Sequence, residues 1–225
     1  MYKLIKRLFD IIFGVIALIF LLPLFIPIAL ILKFTSEGEI FYLQERIGYK
    51  NKKFKIIKFA TMLKDSPNIG TGMITLSNDS RVSTIGKYLR SSKINELPQI
   101  FNIIKGDISF VGPRPLVESM FNHYSLDIQK NIYKSKPGLT GIGSIVFRDE
   151  ESLFNTSKTK DLHKFYKENI SPYKGQLETW YRTNSSFRVD FMIILLTAHA
   201  IIFPKSNAFI KVFKTLPKNP KKTNE

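Results

Sequence analysis

An amide and a carboxylate side by side, Asn95-Glu96, and an arginine held between two prolines, Pro113-Arg114-Pro115, are the residues best suited to chemistry on an anion. Both lie in the stretch SSKINELPQIFNIIKGDISFVGPRP, from Ser91 to Pro115. Within it Leu97, Ile100, Phe101 and Ile104 fall at i, i+3, i+4 and i+7, which predicts a short helix with one apolar face. Asn95 reads as its N-cap, Pro98 is compatible with a first turn, and Lys105-Gly106 reads as its end. Asn95 and Glu96 then stand at the positive end of a helix dipole, where a phosphate is readily held. The prolines fix the backbone around Arg114, and a guanidinium on a stiff mount suits bidentate binding of phosphate. Capping alone accounts for the first pair and a surface turn alone for the arginine. Their closeness points to an anion site.

Residues Arg81-Val-Ser-Thr-Ile-Gly-Lys-Tyr-Leu-Arg90, Glu96-Leu-Pro-Gln99, Asn102, Lys105-Gly-Asp107, Ser109 and Val111-Gly-Pro-Arg-Pro115 carry a longer pattern. It resembles the bacterial sugar transferases, the monotopic polyprenyl-phosphate phosphoglycosyl transferases, from Lys6-Arg7 to about Arg148 and more weakly into the C-terminal apolar segment. The resemblance implies transfer of a sugar 1-phosphate from a nucleotide diphosphate sugar, a UDP-sugar by preference, to undecaprenyl phosphate. It places the reaction on the cytoplasmic face of the bacterial inner membrane, as the first step of surface polysaccharide assembly, with Mg²⁺ as cofactor. Asn95 and Glu96 occupy the catalytic positions, and Glu96 is the implied metal ligand. Lys58, in Lys58-Phe-Ala-Thr-Met62, and Arg90, Arg114 and Arg148 are implied to bind substrate phosphates.

Two positions depart from the family pattern. Asn95 stands where the pattern has an aspartate nucleophile, and an amide is a poor one. After Lys136-Pro-Gly-Leu-Thr-Gly141, Ile142-Gly143-Ser144 replaces Trp-Ala-Gln. An active transferase would then rely on direct attack by the lipid phosphate or on Glu96. The alternatives are a catalytically impaired member serving as a membrane-bound binding or regulatory protein, and an anchor or assembly subunit. The run Asp149-Glu150-Glu151 is either the first turn of a helix or a relocated acidic partner.

The rest of the chain must position these groups against a membrane. Its 225 residues suit a single folded domain. With no cysteine there is neither a disulfide framework nor a thiolate site, and three scattered histidines (His123, His163, His199) argue against a histidine metal site. A formal charge of +16 calls for an anionic partner. No nucleic-acid-binding pattern accompanies it, so an anionic lipid surface is the expected partner and nucleic acid is not. A homodimer is left open.

The uncharged run Ile11–Leu32 is long enough to span a bilayer. However, Pro23 and Pro27 interrupt it and basic residues flank both ends, which predicts a re-entrant helix broken at Pro23 with both ends on one side. Glu39–Arg46 and Phe54–Phe59 read as a hairpin with Gly48 in its turn. Asp65–Asp79 reads as a loop, and Asn78–Arg81 as the start of a helix carrying Ile85, Tyr88, Leu89 and Arg90. Val117–Tyr133 reads as a packing helix pair in which His123 has no catalytic role. Phe187–Phe203 holds 13 uninterrupted, mostly apolar residues from Phe191, short of a bilayer span, and reads as a buried or interface-lying helix. The expected class is α+β: a re-entrant membrane helix, a small hairpin or sheet, and several amphipathic interfacial helices. The expected units are an anchor (residues 1–35), a cytosolic transferase domain (36–204) and a basic, disordered tail (205–225).

Overall fold

A computed structural model describes residues 2–35, 37–70, 75, 79–150, 153–154, 161–204 and 206–219. Helix α1, Tyr2–Thr35, contains both prolines. Its buried positions are Asp10, Gly14, Phe25, Ile28 and Leu32, with Ala17, Leu18 and Leu21 packed between them. These residues recur every three or four positions, so one stripe about 33 Å long rests against the domain. Pro23 and Pro27 fall on the opposite, exposed face. The helix is therefore not interrupted at Pro23 as expected: the proline costs it a hydrogen bond on the outer side while the packed stripe holds its register. Burial of Phe25, Ile28 and Leu32 is worth about 1.5–3 kcal/mol each. On the outer face Leu4, Phe20, Ile26 and Phe34 are 61–82% exposed.

Strands β1 (Phe41–Ile47) and β2 (Lys53–Phe59) form the antiparallel hairpin, with Tyr42 opposite Lys58. Gly48 begins the turn, but the left-handed residues are Lys50 and Asn51, at φ 55° and 58°. Helix α2, Thr84–Ser91, starts later than expected because Ser83 is its N-cap; the Gly86 N–H donates to Ser83 Oγ at 3.0 Å. Between Asp65 and Asp79 the described residues form a loop with one 3₁₀ turn, Ser66–Asn68. Buried Arg81 donates to Asp79 and to the carbonyls of Ser66 and Ile69, holding the ends of that loop together. Asn78 lies outside the described residues.

Lys93, at φ 59°, turns the chain into a 3₁₀ turn, Ile94–Glu96, that runs on into helix α3, Gln99–Lys105. Asn95 is therefore inside a turn and does not cap α3; Pro98 takes the cap position. Gly106, at φ 96°, closes α3 as the sequence indicated. Arg7 donates from both terminal nitrogens to the Ile103 and Ile104 carbonyls, 2.6 Å each, so α1 supplies the cation at the C-terminus of α3. Asn102 joins α3 to the hairpin: Oδ1 accepts the Ile57 N–H and Nδ2 donates to the Lys55 carbonyl.

Strands β3 (Ser109–Val111) and β4 (Gly138–Thr140) run parallel. The segments after and within them touch so closely that a Cβ on Gly112 would lie 2.4 Å from the Lys136 carbonyl oxygen. This contact explains the glycines in both the GPRP and KPG motifs. Short helices α4 (Glu118–Phe121), α5 (Leu126–Asn131), α6 (Ile142–Val146) and α7 (Leu162–Phe165) follow. A π-turn, Tyr166–Ile170, leads from α7 into α8, Ser171–Asn184. Then come α9, Phe187–Ile202, and α10, Ala208–Val212. Leu126, expected to pack, is 71% exposed.

Helix α9 buries Asp190, Ile193, Leu196 and Ala200 and leaves Phe191, Ile201 and Ile202 59–69% exposed, a second apolar outer face. Residues 206–219 were expected in a disordered tail but instead pack on α8: Phe213 lies against Trp180 with ring centroids 5.1 Å apart, and Tyr173 OH donates to the Pro217 carbonyl. Residues 220–225 of that tail lie outside the described residues. Asp190 ties α9 to the start of α1, accepting from Tyr2 OH and Lys6 Nζ on Oδ2 and from Tyr181 OH on Oδ1.

Candidate functional site

Three distant segments meet at one oxygen. Lys58 Nζ, from β2, and Arg114 Nη2, from the proline-framed corner, both donate to Glu96 Oε1, each at 3.0 Å. Burial pushes the Glu96 carboxyl up, but Arg114 and Lys58 outweigh it and hold the group well below the usual range. Burial brings Lys58 down to about 8 against the pull of Glu96, with Arg46 and Arg114 adding to the fall. The cluster thus contains one carboxylate and an excess of cations.

The corner is fixed from behind. Tyr133 OH donates to the Arg114 carbonyl at 2.8 Å and accepts the Leu116 N–H at 3.0 Å. The Arg114 N–H donates to Glu178 Oε1 at 3.4 Å. Glu178 is 1% exposed, and burial raises its carboxyl to about 7. Arg46 donates to the Pro115 carbonyl at 3.2 Å, and burial brings it down to about 10. In the sequence Arg46 counted only among the basic residues that flank the apolar run, and nothing singled out Glu178. The residues packed around them come from remote segments, so no local pattern marks either one.

Lys58, Asn95, Glu96, Arg90, Arg114 and Arg148 all line one cavity of about 1460 Å³. Arg90, in the last turn of α2, points Nη1 at Met62 Sδ, 3.7 Å away. Arg148 follows α6, and its Nη1 is buried without a hydrogen-bond partner. Asn95 is 6% exposed, and its Oδ1 likewise has none. Of the acidic run, Asp149 is exposed, Glu150 pairs with Lys174 at 2.5 Å, and Glu151 lies outside the described residues. His123 pairs with His163 at an exposed position, away from the cluster. Apolar side chains line much of the rest, among them Phe9, Phe13 and Ile16 of α1 and Phe191, Ile194 and Ile201 of α9.

No group of three or more metal-ligating side chains occurs among the described residues. The oxygen donors that line the cavity with these cations include the Glu96 carboxylate and the unpartnered Asn95 Oδ1. Such a sparse, hard-oxygen set fits Mg²⁺ shared with substrate phosphates, and does not form an all-protein metal cage.

A cationic pocket around one carboxylate thus opens beside apolar faces of α1 and α9, an arrangement whose chemistry suits a phosphate group next to an apolar chain. The bacterial sugar transferase family profile matches residues 1–204, and the chain belongs to that family. Over 203 residues it is 32% identical to the UDP-N-acetylgalactosamine-undecaprenyl-phosphate N-acetylgalactosaminephosphotransferase of Aeromonas hydrophila, covering 89% of this chain and 44% of that protein. It is 33% identical over 217 residues to the exopolysaccharide production protein ExoY of Sinorhizobium fredii (strain NBRC 101917 / NGR234), covering 90% of this chain and 87% of that one. A third relative, the UDP-glucose:undecaprenyl-phosphate glucose-1-phosphate transferase of Xanthomonas campestris pv. campestris, is 34% identical over 204 residues, covering 89% of this chain and 39% of its own length. The chain thus spans under half the length of two of these relatives and most of the third.

Proposed function

We propose that this protein transfers a sugar 1-phosphate from a UDP-sugar to undecaprenyl phosphate, initiating a surface polysaccharide. The observation that carries this reading is the convergence of Lys58 and Arg114 on Glu96 inside a cavity that apolar side chains of α1 and α9 also line. The polar floor suits a diphosphate and the apolar walls a polyprenyl chain. Arg114 and Lys58 bind the diphosphate oxygens and orient the β-phosphorus; Arg46 and Arg90 add positive charge around it. An oxygen of the acceptor phosphate forms a new bond to that phosphorus, the bond to the bridging oxygen breaks, and UMP leaves with the electron pair. Glu96, held ionised, keeps the two cations in place until substrate arrives. Glu96 and Asn95 Oδ1 would hold Mg²⁺, which when bound neutralises diphosphate charge.

The test is UMP release from a panel of UDP-sugars in membranes supplied with undecaprenyl phosphate. Release that depends on both substrates supports the reading. Binding of UDP-sugar with no release under any acceptor condition would replace the transferase by a binding or regulatory protein.

The same reading puts the protein on the cytoplasmic face of the inner membrane, with the unbroken α1 lying along that face and both of its ends on one side. The support is lengthwise packing: Arg7 and Asp10 near one end and Leu32 near the other all contact the same domain. Asp10 Oδ1 accepts from Ser109 Oγ and from the Phe110 N–H, a buried polar anchor for the helix. Because the chain has no cysteine, single cysteines at Lys3 and Glu37 give a clean labelling experiment. Both should react with an impermeant thiol reagent only after the inner membrane is opened; labelling from opposite sides would restore a spanning helix.

A further inference from the structure

The cavity carries two differently built polar ends. One is the cationic cluster of Lys58, Arg114 and Arg46 around Glu96. The other comprises Ser144 and Arg148 from the α6 region, Glu150, and Lys174 and Tyr166 from the π-turn and α8; Arg114 lies in the field of both Glu96 and Glu150. Here charge is more evenly matched, since Glu150 Oε2 accepts from Lys174 Nζ at 2.5 Å. Three polar atoms of this end, Ser144 Oγ, Arg148 Nη1 and the Tyr166 hydroxyl, are buried with no hydrogen-bond partner. Buried donors and acceptors are costly when unsatisfied, so three together beside a cavity point to a ligand that satisfies them. The ligand must offer both donors and acceptors, because Arg148 only donates and Glu150 only accepts.

The aromatic rings at this end narrow the choice. A nucleobase would use an open ring face for stacking. Lys174 Nζ instead sits over both Phe147 and Tyr166, at 5.7 and 5.6 Å from their centroids, and Phe154 stacks on Tyr166. A hydroxyl-bearing ring needs hydrogen bonds more than an open π-face, and that is what this end supplies. Ser144 also stands where the family pattern carries glutamine, so a shorter side chain borders the space.

We propose that the Ser144–Arg148–Glu150 end of the cavity is the subsite for the transferred hexose, and that Ser144 and Glu150 set which hexose is accepted. Arg114 marks the boundary between this subsite and the diphosphate cradle. The inference rests on the transferase reading for the identity of the ligand.

The experiment compares binding of UDP with that of UDP-glucose, UDP-galactose and UDP-N-acetylgalactosamine by titration calorimetry of the full chain in nanodiscs, without acceptor lipid. Wild type should bind at least one UDP-sugar more tightly than UDP. Ser144→Gln should weaken that sugar about tenfold and change the order of preference, leaving UDP affinity within twofold. Glu150→Gln, which keeps shape and a hydrogen bond toward Lys174, should do likewise. If UDP weakens in parallel in both variants, this end holds the nucleotide and the proposal is wrong. It is equally wrong if wild type gains nothing from any sugar, or if neither variant alters the gain. UMP release is followed separately: a sugar-dependent gain that the variants remove, without release by wild type, would uphold the subsite and refute the transferase reading.

Discussion

Arg114→Ala should lower UMP release about 10²–10³-fold, the loss typical when one preorganised donor to a developing anion is removed. The main chain at this corner should survive, because Pro113, Pro115 and the Tyr133 hydroxyl hold it independently of the guanidinium. The side chain contributes one of the two bonds to Glu96 Oε1, so its loss leaves Lys58 alone against that carboxylate. Arg114→Lys restores the charge without the planar fork and should recover only part of the activity. Near-wild-type release by the alanine variant, at unchanged melting temperature, would reduce Arg114 to a turn residue.

The proline corner, the Glu96 turn and the strand bearing Lys58 were legible because each carries a local signal. Prolines fix a backbone, alternation marks a strand, and an apolar stripe marks α3. The Asn95 capping role was misread because Lys93 adopts a left-handed turn, which its residue type does not announce. Arg46, Glu178 and Lys174 were illegible for a different reason. Their meaning depends on neighbours remote in sequence, such as the Arg114 amide that reaches Glu178.

Two misjudged elements share one cause. The prolines of α1 suggested a break, yet the stripe from Asp10 through Phe25 to Leu32 passes them on the far side. The lysine-rich C-terminus suggested disorder, yet Phe209, Phe213 and Leu216 recur within it and dock beside Trp180. In both segments the spacing of a few buried apolar side chains outweighed composition. Burial of one such side chain offsets several solvated lysines, which lose little on either outcome.

Asn95→Asp should convert the site to one that forms a covalent phosphosugar. Asn95 is buried beside Glu96, and its Oδ1 has no partner to lose. Lys58, Arg114 and Arg46 surround Glu96 with more positive than negative charge, so a second carboxylate is tolerated in its ionised form. Unlike the amide, that carboxylate is a competent nucleophile. Its oxygen would attack the β-phosphorus, the bond to the bridging oxygen would break, and one equivalent of UMP would leave. The expected result is a stoichiometric burst of UMP without acceptor lipid, an enzyme-bound sugar phosphate detectable by mass, and turnover raised tenfold or more once undecaprenyl phosphate is added. Wild type, lacking that carboxylate, should show no burst at this position and release UMP only with acceptor present. If Asn95→Asp gives neither burst nor faster turnover while Glu96→Gln abolishes release, Asn95 is not a vacated nucleophile position. Glu96 then becomes the one acid of the cluster on which the chemistry depends.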